Sequence, residues 1–535
     1  MLLKPQVFNY NKLSYKMTLF LILSFSMLVG INAAPYVNAQ SQAEPCSIVI
    51  FGASGDLTAR KLLPAIYNLA HEGNLSKNTA VIGFARSEHS NETFRKQMEK
   101  ATNQFSRVSP NADVDFWRQF ESRLFYNQAA FEEDQGYENL HELLSEIDQE
   151  LGTQGNRIYY LATHPSQFPI IIKKLHEHQL IYNPNSLNKK WSRVIIEKPF
   201  GNDLDSAIDL QKNISKHLDE SQVYRMDHYL GKVGVQNLFT LRFENALFEP
   251  LWNNEYIDNV QITLSEDIGV GSRGHFWEET GSLRDVFQNH LMQLLAITAM
   301  EPPSHLNVSS IHEEKIKVLN EIRPFPLAEI NNHVVRGQYG PGEIHGIRVP
   351  GYKQEKDVAD ISSSETFIAA KIFIDNPRWM GTPFYIRGGK RLPKQTTEIV
   401  ITFKNGNSST DQVANALFIR IQPNTGLFLK ILSKTPTLYN DAKPVTFGYN
   451  IDAYFGRQSS EAYENLLYSC IIGDSSLYVR AEEQLAAWRL LTPVLDYWKS
   501  QTHEDIQNYE AGTWGPTAAE RLLRENGHQW RLLED

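Results

Sequence analysis

From residue 224 to 232 the chain reads YRMDHYLGK, which sets Arg225, Asp227, His228, Tyr229 and Lys232 around one glycine, Gly231. An acid, an imidazole, a phenol and an ammonium within six residues are the groups of acid–base chemistry, and they need partners elsewhere in the chain. Taken alone, the cluster reads more often as a solvated loop. Gly231 permits a turn into the run VGVQNLFTLRF, which reads as a helix whose first N–H groups and dipole favour an anion.

A second stretch with chemical content is GASGDLTARK at 52–61, directly after the apolar run SIVIF. A dinucleotide fold places its phosphate turn there. Gly52 and Gly55 allow a tight turn and close backbone approach, Ser54, Asp56 and Leu57 complete the loop, and the helix that follows offers N–H groups to a pyrophosphate. The spacing is G-x-x-G and not G-x-G-x-x-G, so the two glycines alone read as well as a structural turn. The next apolar run ends in GFARS, with Arg86 where NAD-binding folds carry an acid for the ribose hydroxyls. A guanidinium there suits a 2′-phosphate, which favours NADP and leaves NAD as the weaker alternative; the bland reading is a solvated arginine. Lys198, in EKPFG, ends a further apolar run, where parallel sheets keep their ligand crevice, and Pro199 favours an extended Lys198.

These groups need a frame. SIVIF, TAVIGFARS, RIYYLATHP and WSRVIIEKPFG are apolar runs separated by helical patterns, which implies a parallel, doubly wound sheet up to about residue 200. Beyond it NVQITLSED, ETFIAAKIFI, TPFYIRGG, TEIVITFK, NALFIRIQP and GLFLKILSK form a succession of strands, which suggests a large, mostly antiparallel sheet covered by helices near 280–300 and 459–498. A chain of 535 residues is long enough for two or three domains. With 41% hydrophobic and 21% charged residues it has the composition of a globular enzyme. A formal charge of −10 without a Lys/Arg block excludes a nucleic-acid-coating or membrane-surface protein, so an anionic ligand must meet a local basic pocket. Cys46 and Cys470 are too few for a disulfide framework and lack metal-ligand spacing, and no metal is expected.

At the N-terminus, Lys4, Lys12 and Lys16 precede MTLFLILSFSMLVGI, and VNA at 37–39 offers small residues, the layout of a secretory signal cleaved near Ala39. The apolar stretch is shorter than the roughly 20 residues a spanning helix needs, so no stable membrane span is expected in the mature chain.

GASGDL, EKPFG, DHYLGK, RGHFWEETGSLRDVFQNHL, RWMGTPFYIRGGKRL and AYENLL occur together and in this order. From about residue 46 onward the chain resembles the glucose-6-phosphate dehydrogenase family. The resemblance implies oxidation of D-glucose 6-phosphate at C1 to the 6-phosphogluconolactone with reduction of NADP, the first step of the oxidative pentose phosphate pathway. It implies a Rossmann-type dinucleotide-binding domain followed by a large α+β domain. The expected division is a signal-like extension at 1–44, an NADP-binding domain at 45–222 and a substrate and dimerisation domain at 223–535.

By the same resemblance, His290 is the base that removes the C1 hydroxyl proton and Asp227 orients it, with the imidazole titrating near neutral pH. Alone, His290 reads as a satisfied helix histidine. His228, Tyr229 and Lys232 resemble the clamp on the substrate phosphate. Lys198 resembles a contact to both sugar and cofactor, and Glu266, Asp285 and Lys390 resemble the sugar-hydroxyl contacts. Tyr160 resembles a residue of the strand lining the cofactor. A homodimer or homotetramer is implied, and a cytoplasmic location follows from the family and from where NADP is supplied, with export through the signal as the alternative. Two rivals remain: an exported sugar dehydrogenase of the glucose–fructose oxidoreductase type, which shares Glu-Lys-Pro but takes unphosphorylated sugars, and a catalytically silent binding protein.

Overall fold

The structure, a computed structural model, describes residues 43–185, 189–405, 414–438, 441–501 and 506–533. The secretory-signal reading falls at 1–42 and lies outside the described residues. Ala43 is already buried, and the Trp191 indole donates to Glu44 Oε2 at 2.6 Å, so the packed chain includes the last residues of the extension expected at 1–44.

Ser47–Phe51 (β1) is buried at every position, as a strand must be when helices cover both faces of a parallel sheet. It lies inside a six-stranded sheet with Ala80–Ala85 (β2), Leu124–Gln128 (β3), Arg157–Leu161 (β4), Ser192–Glu197 (β5) and Val223–Met226 (β6). All pairs are parallel and the order is β3-β2-β1-β4-β5-β6, the doubly wound order whose direction reverses between β1 and β4. The sequence reading ended this unit near residue 200 and began the next domain at 223. Instead Val223–Met226 pairs with β5 from Val194↔Val223 to Glu197↔Met226, and the sheet runs straight into Asp227. Arg225 belongs to this framework: it is buried, pairs with Glu220 at 2.6 Å and donates to Gln211 Oε1 at 2.6 Å.

The second sheet has nine strands: Ile257–Ser265 (β7), Val334–Gly340 (β8), Phe367–Ile372 (β11), Phe384–Gly389 (β12), Thr396–Phe403 (β13), Ala416–Gln422 (β14), Gly426–Lys434 (β15), Ala442–Asn450 (β16) and Gln507–Glu510 (β17). Their order is β16-β15-β14-β13-β7-β12-β11-β8-β17, antiparallel except at β7/β12 and β8/β17. A small hairpin, Gly342–Ile344 (β9) and Ile347–Val349 (β10), stands apart. Helical turns Leu283–Leu291, running on as the wholly buried Met292–Ala299, pack with Ala481–Ser500 into the core against this sheet.

The helical run expected at 459–498 is two helices, Ala462–Ile472 and Ala481–Ser500. The first ends at Gly473, whose φ of +83° and closeness to the Arg193 guanidinium exclude a side chain. Its buried face, Leu466, Leu467, Cys470 and Ile471, joins Cys46, Ile48 and Leu62 in the core of the first sheet. Both cysteines are free and buried, and burial pushes the Cys46 thiol up to about 12. Among the described residues no helix is long and apolar enough to cross a membrane.

Candidate active site

Asp227 follows β6 without a spacer, which puts it at the carboxyl end of a parallel strand. It is 1% exposed. Its Oδ1 lies 2.5 Å from His290 Nδ1 and accepts the Tyr229 backbone N–H at 2.9 Å. Burial works to raise the Asp227 pKa, but the His290 and His228 imidazoles and the Tyr229 N–H outweigh it and hold the carboxyl well below the usual range. Burial is also the largest influence on His290 and pushes the imidazole below its ordinary value, with Lys198 adding to the effect and Asp227 opposing it. Burial thus favours the neutral imidazole. The proton facing Asp227 sits on Nδ1, which leaves Nε2 as the acceptor. An imidazole so oriented can take a proton from a hydroxyl.

His290 stands on Leu283–Leu291, a wide turn with the i→i+5 register typical of functional helix distortions. Residues five apart share one face of such a turn, and Asp285 and His290 use that face. Lys198, just after β5, reaches both: its Nζ donates to the Asp285 carbonyl at 2.7 Å, lies 3.1 Å from Asp285 Oδ1 and 3.0 Å from His290 Nε2. Burial would raise the Asp285 carboxyl, but the Lys198 and Lys390 ammonium groups win and lower it. Lys390, 1% exposed, pairs with Glu266 at 2.6 Å and sits 4.6 Å from the centre of the Trp277 ring.

Lys232 Nζ donates to Gln422 Oε1 at 2.5 Å, and Gln422 Nε2 donates to the Tyr229 hydroxyl at 3.2 Å. Burial draws the Lys232 ammonium down to about 8 and pushes His228 well below its ordinary value. His228 is thus a neutral donor here, its ring 4.5 Å from that of His290. Lys198, His228, Tyr229, Lys232, Glu266, Asp285, His290 and Lys390 all line one cleft of about 690 Å3.

The glycine turn is built as its sequence implied. Gly52 has φ +85°, and a Cβ there would lie 2.3 Å from the Ala162 carbonyl oxygen. Gly55 closes the turn by donating to the Gly52 carbonyl at 2.9 Å. Ser54 and Ser87 place their hydroxyls 3.0 Å apart beside the exposed Arg86. Asp56 turns outward to Arg60 at 3.4 Å, and Leu57 packs on the core. Tyr160 lies on β4, in the middle of the parallel sheet. It is wholly buried, because its hydroxyl turns inward to Glu197 Oε1 at 2.5 Å and to Met226 Sδ, so it supports the cleft wall through Glu197.

The cleft also holds residues that the sequence reading did not assign to the site. Lys61, one turn beyond the glycine loop, pairs with Glu461 at 3.1 Å, and Tyr463 donates to Glu197 Oε1 at 3.3 Å. The only local signal for Tyr463 was AYENLL. Among the described residues no group of three or more His, Cys, Asp or Glu side chains is placed to hold a metal ion.

Two family models match in tandem: the NAD-binding domain of glucose-6-phosphate dehydrogenase over residues 49–237 and its C-terminal domain over 239–531. Glucose-6-phosphate 1-dehydrogenase of Chlamydia pneumoniae is 48% identical over 506 residues, covering 93% of this chain and 98% of its own. The Bacillus subtilis enzyme of the same name is 40% identical over 497 residues, 92% and 99% of the two chains. A solved structure of glucose-6-phosphate dehydrogenase in complex with its substrate glucose-6-phosphate superposes with a TM-score of 0.83 at 35% identity, over 91% of this chain and 99% of that one. The chain belongs to the glucose-6-phosphate dehydrogenase family.

Proposed function

We propose that this chain oxidises D-glucose 6-phosphate at C1 to 6-phospho-D-glucono-1,5-lactone with NADP as the acceptor, the entry step of the oxidative pentose phosphate pathway. The observation that carries the reading is one cleft lined by the His290 imidazole, which Asp227 orients, together with His228, Tyr229 and Lys232. These groups suit a sugar phosphate: a base for its reacting hydroxyl, and an ammonium with hydrogen-bonding groups for its phosphate.

Lys232 and the His228 N–H hold the phosphate; its negative charge keeps Lys232 protonated against the burial that lowers it. Glu266, Asp285 and Lys390 orient the sugar hydroxyls. The C1 hydroxyl takes the place of Lys198 at His290 Nε2, the imidazole accepts its proton, and Asp227 stabilises the imidazolium. As the O–H electrons form the carbonyl, the C1 hydride departs. NADP, when bound, supplies the hydride acceptor. The residues fit it: Gly52, held to glycine by its φ of +85° and by the Ala162 carbonyl, makes the tight turn after β1 where a dinucleotide fold keeps its pyrophosphate, and Arg86 with Ser54 offers donors to a 2′-phosphate.

Reduction of NADP by purified protein tests the reading. Turnover with glucose 6-phosphate and little with glucose is expected; turnover with glucose alone would give the site to a dehydrogenase of the glucose–fructose oxidoreductase type. We also place the enzyme in the cytoplasm, where NADP is supplied, as a homodimer or homotetramer. N-terminal sequencing of the native protein and sedimentation analysis check these two points.

A further inference from the structure

Glu365 touches no part of the cleft, yet it is 4% exposed and bound on every side to the elements that carry the reaction. Its Oε1 accepts the Leu283 N–H at 2.8 Å, at the first residue of the turns that bear Asp285 and His290. Its backbone carbonyl accepts the Ser282 N–H at 2.9 Å and the Trp277 indole N–H at 3.1 Å. The preceding helix ends at Gly281, with φ +65° and ψ 174°, and a Cβ there would lie 2.4 Å from Glu365 Oε1. The chain therefore breaks its helix at the one residue type that lets this carboxyl come close, then restarts it on that carboxyl. Trp277, held by the same residue, underlies Lys390, and the next carbonyl, that of Thr366, accepts the Lys390 N–H at 2.9 Å.

Resting on the proposed oxidation, we infer that Glu365 is a positioning residue: it sets the start of the helix carrying Asp285 and His290 and ties that start to Lys390. The i→i+5 register makes the start matter, because a shift there turns Asp285 and His290 together away from Lys198 and Asp227. The interaction needs an acceptor at Oε1 and not a charge. Burial pushes the Glu365 carboxyl above its ordinary range, with the Leu283 N–H opposing it.

The experiment compares Glu365→Ala and Glu365→Gln with wild type. In folded Glu365→Ala, kcat for glucose 6-phosphate falls roughly 10- to 100-fold, the cost of an ångström-scale misplacement. NADPH affinity, read by fluorescence, stays within about threefold, since the glycine turn is untouched. Glu365→Gln recovers kcat to within about threefold of wild type, because its amide oxygen accepts the same N–H. The exchange-protected Nδ1–H proton resonance of His290, assigned with His290→Asn, weakens in Glu365→Ala and persists in Glu365→Gln. A lowered melting temperature with kcat within about threefold of wild type would reduce Glu365 to a plain helix cap and overturn the inference. Gln as impaired as Ala overturns it equally. Should Ala not fold, Glu365→Asp replaces it, one methylene too short to reach Leu283, with the same two readings. If wild type itself does not turn over glucose 6-phosphate, the functional reading falls while the proton resonance still decides the positioning role.

Discussion

Where the proposed sugar end of the cleft buries its charges in pairs, the glycine turn after β1 leaves Asp56 and the nearby Arg86 in water and relies on backbone shape. Asp227 with His290 and Lys390 with Glu266 are at or near full burial on at least one partner, and each pair is hydrogen-bonded. Arg86 is exposed, Asp56 is paired only with an exposed Arg60, and the feature that cannot change is the left-handed Gly52. The difference concerns where preorganisation resides. Removing one member of a buried pair strands the other at a cost of several kcal/mol, whereas an exposed guanidinium contributes only what screening by salt leaves it.

The sharpest way to break this contrast is His290→Asn, which keeps a hydrogen-bonding shape but cannot accept a proton near neutral pH. We expect kcat to fall by about 10²- to 10⁴-fold with substrate and cofactor affinities little changed. Near-wild-type turnover in the folded variant would remove His290 from the chemistry. Next in size, Lys232→Ala should lower kcat/KM for glucose 6-phosphate roughly 10- to 100-fold and leave any activity on glucose unchanged, since charge-assisted bonds to phosphate contribute about 1.5–3 kcal/mol. An unaltered preference between the two sugars would place the clamp elsewhere.

At the exposed end the effects shrink. Arg86→Ala should raise the KM for NADP by about tenfold while that for NAD stays put. Equal loss with both cofactors would contradict a 2′-phosphate role. The smallest signal comes from Lys232 itself. With the ammonium lowered to about 8 by burial, the free enzyme loses its charge as pH rises through that value. The KM for glucose 6-phosphate should therefore climb about fourfold from pH 7 to 8.5, and this climb should vanish in Lys232→Ala. A flat wild-type profile would show that the lysine keeps its charge.

Much of this architecture was readable from residues alone, because parallel strands buried on both faces leave continuous apolar runs and glycine turns leave their own mark. The DHYLGK cluster and His290 were legible as candidates, and the structure brings them into one cleft. What escaped depends on distant neighbours. VYRM is too short to show a period, and only its pairing with β5 reveals it as a sixth strand. Lys61 and Glu461 meet across four hundred positions with no local sign of it. The i→i+5 register of Leu283–Leu291 has the same amphipathic look as an ordinary helix, so the common face of Asp285 and His290 was hidden. The burial that lowers the His290 imidazole from its ordinary value is a tertiary property that no local pattern shows.

The helix Ala462–Ile472 also bears on how the protein is made. Residues 466–471 complete the apolar core of a sheet whose last strand ends at Met226, and Glu464 anchors them there through Arg107 at 2.7 Å. During synthesis the amino-terminal sheet leaves the ribosome with earlier helices on that face but with the patch under Ala462–Ile472 uncovered. At translation rates of about 5–20 residues per second the covering helix arrives roughly 10–50 s later, which gives chaperones a defined and lengthy interval in which to guard one known surface.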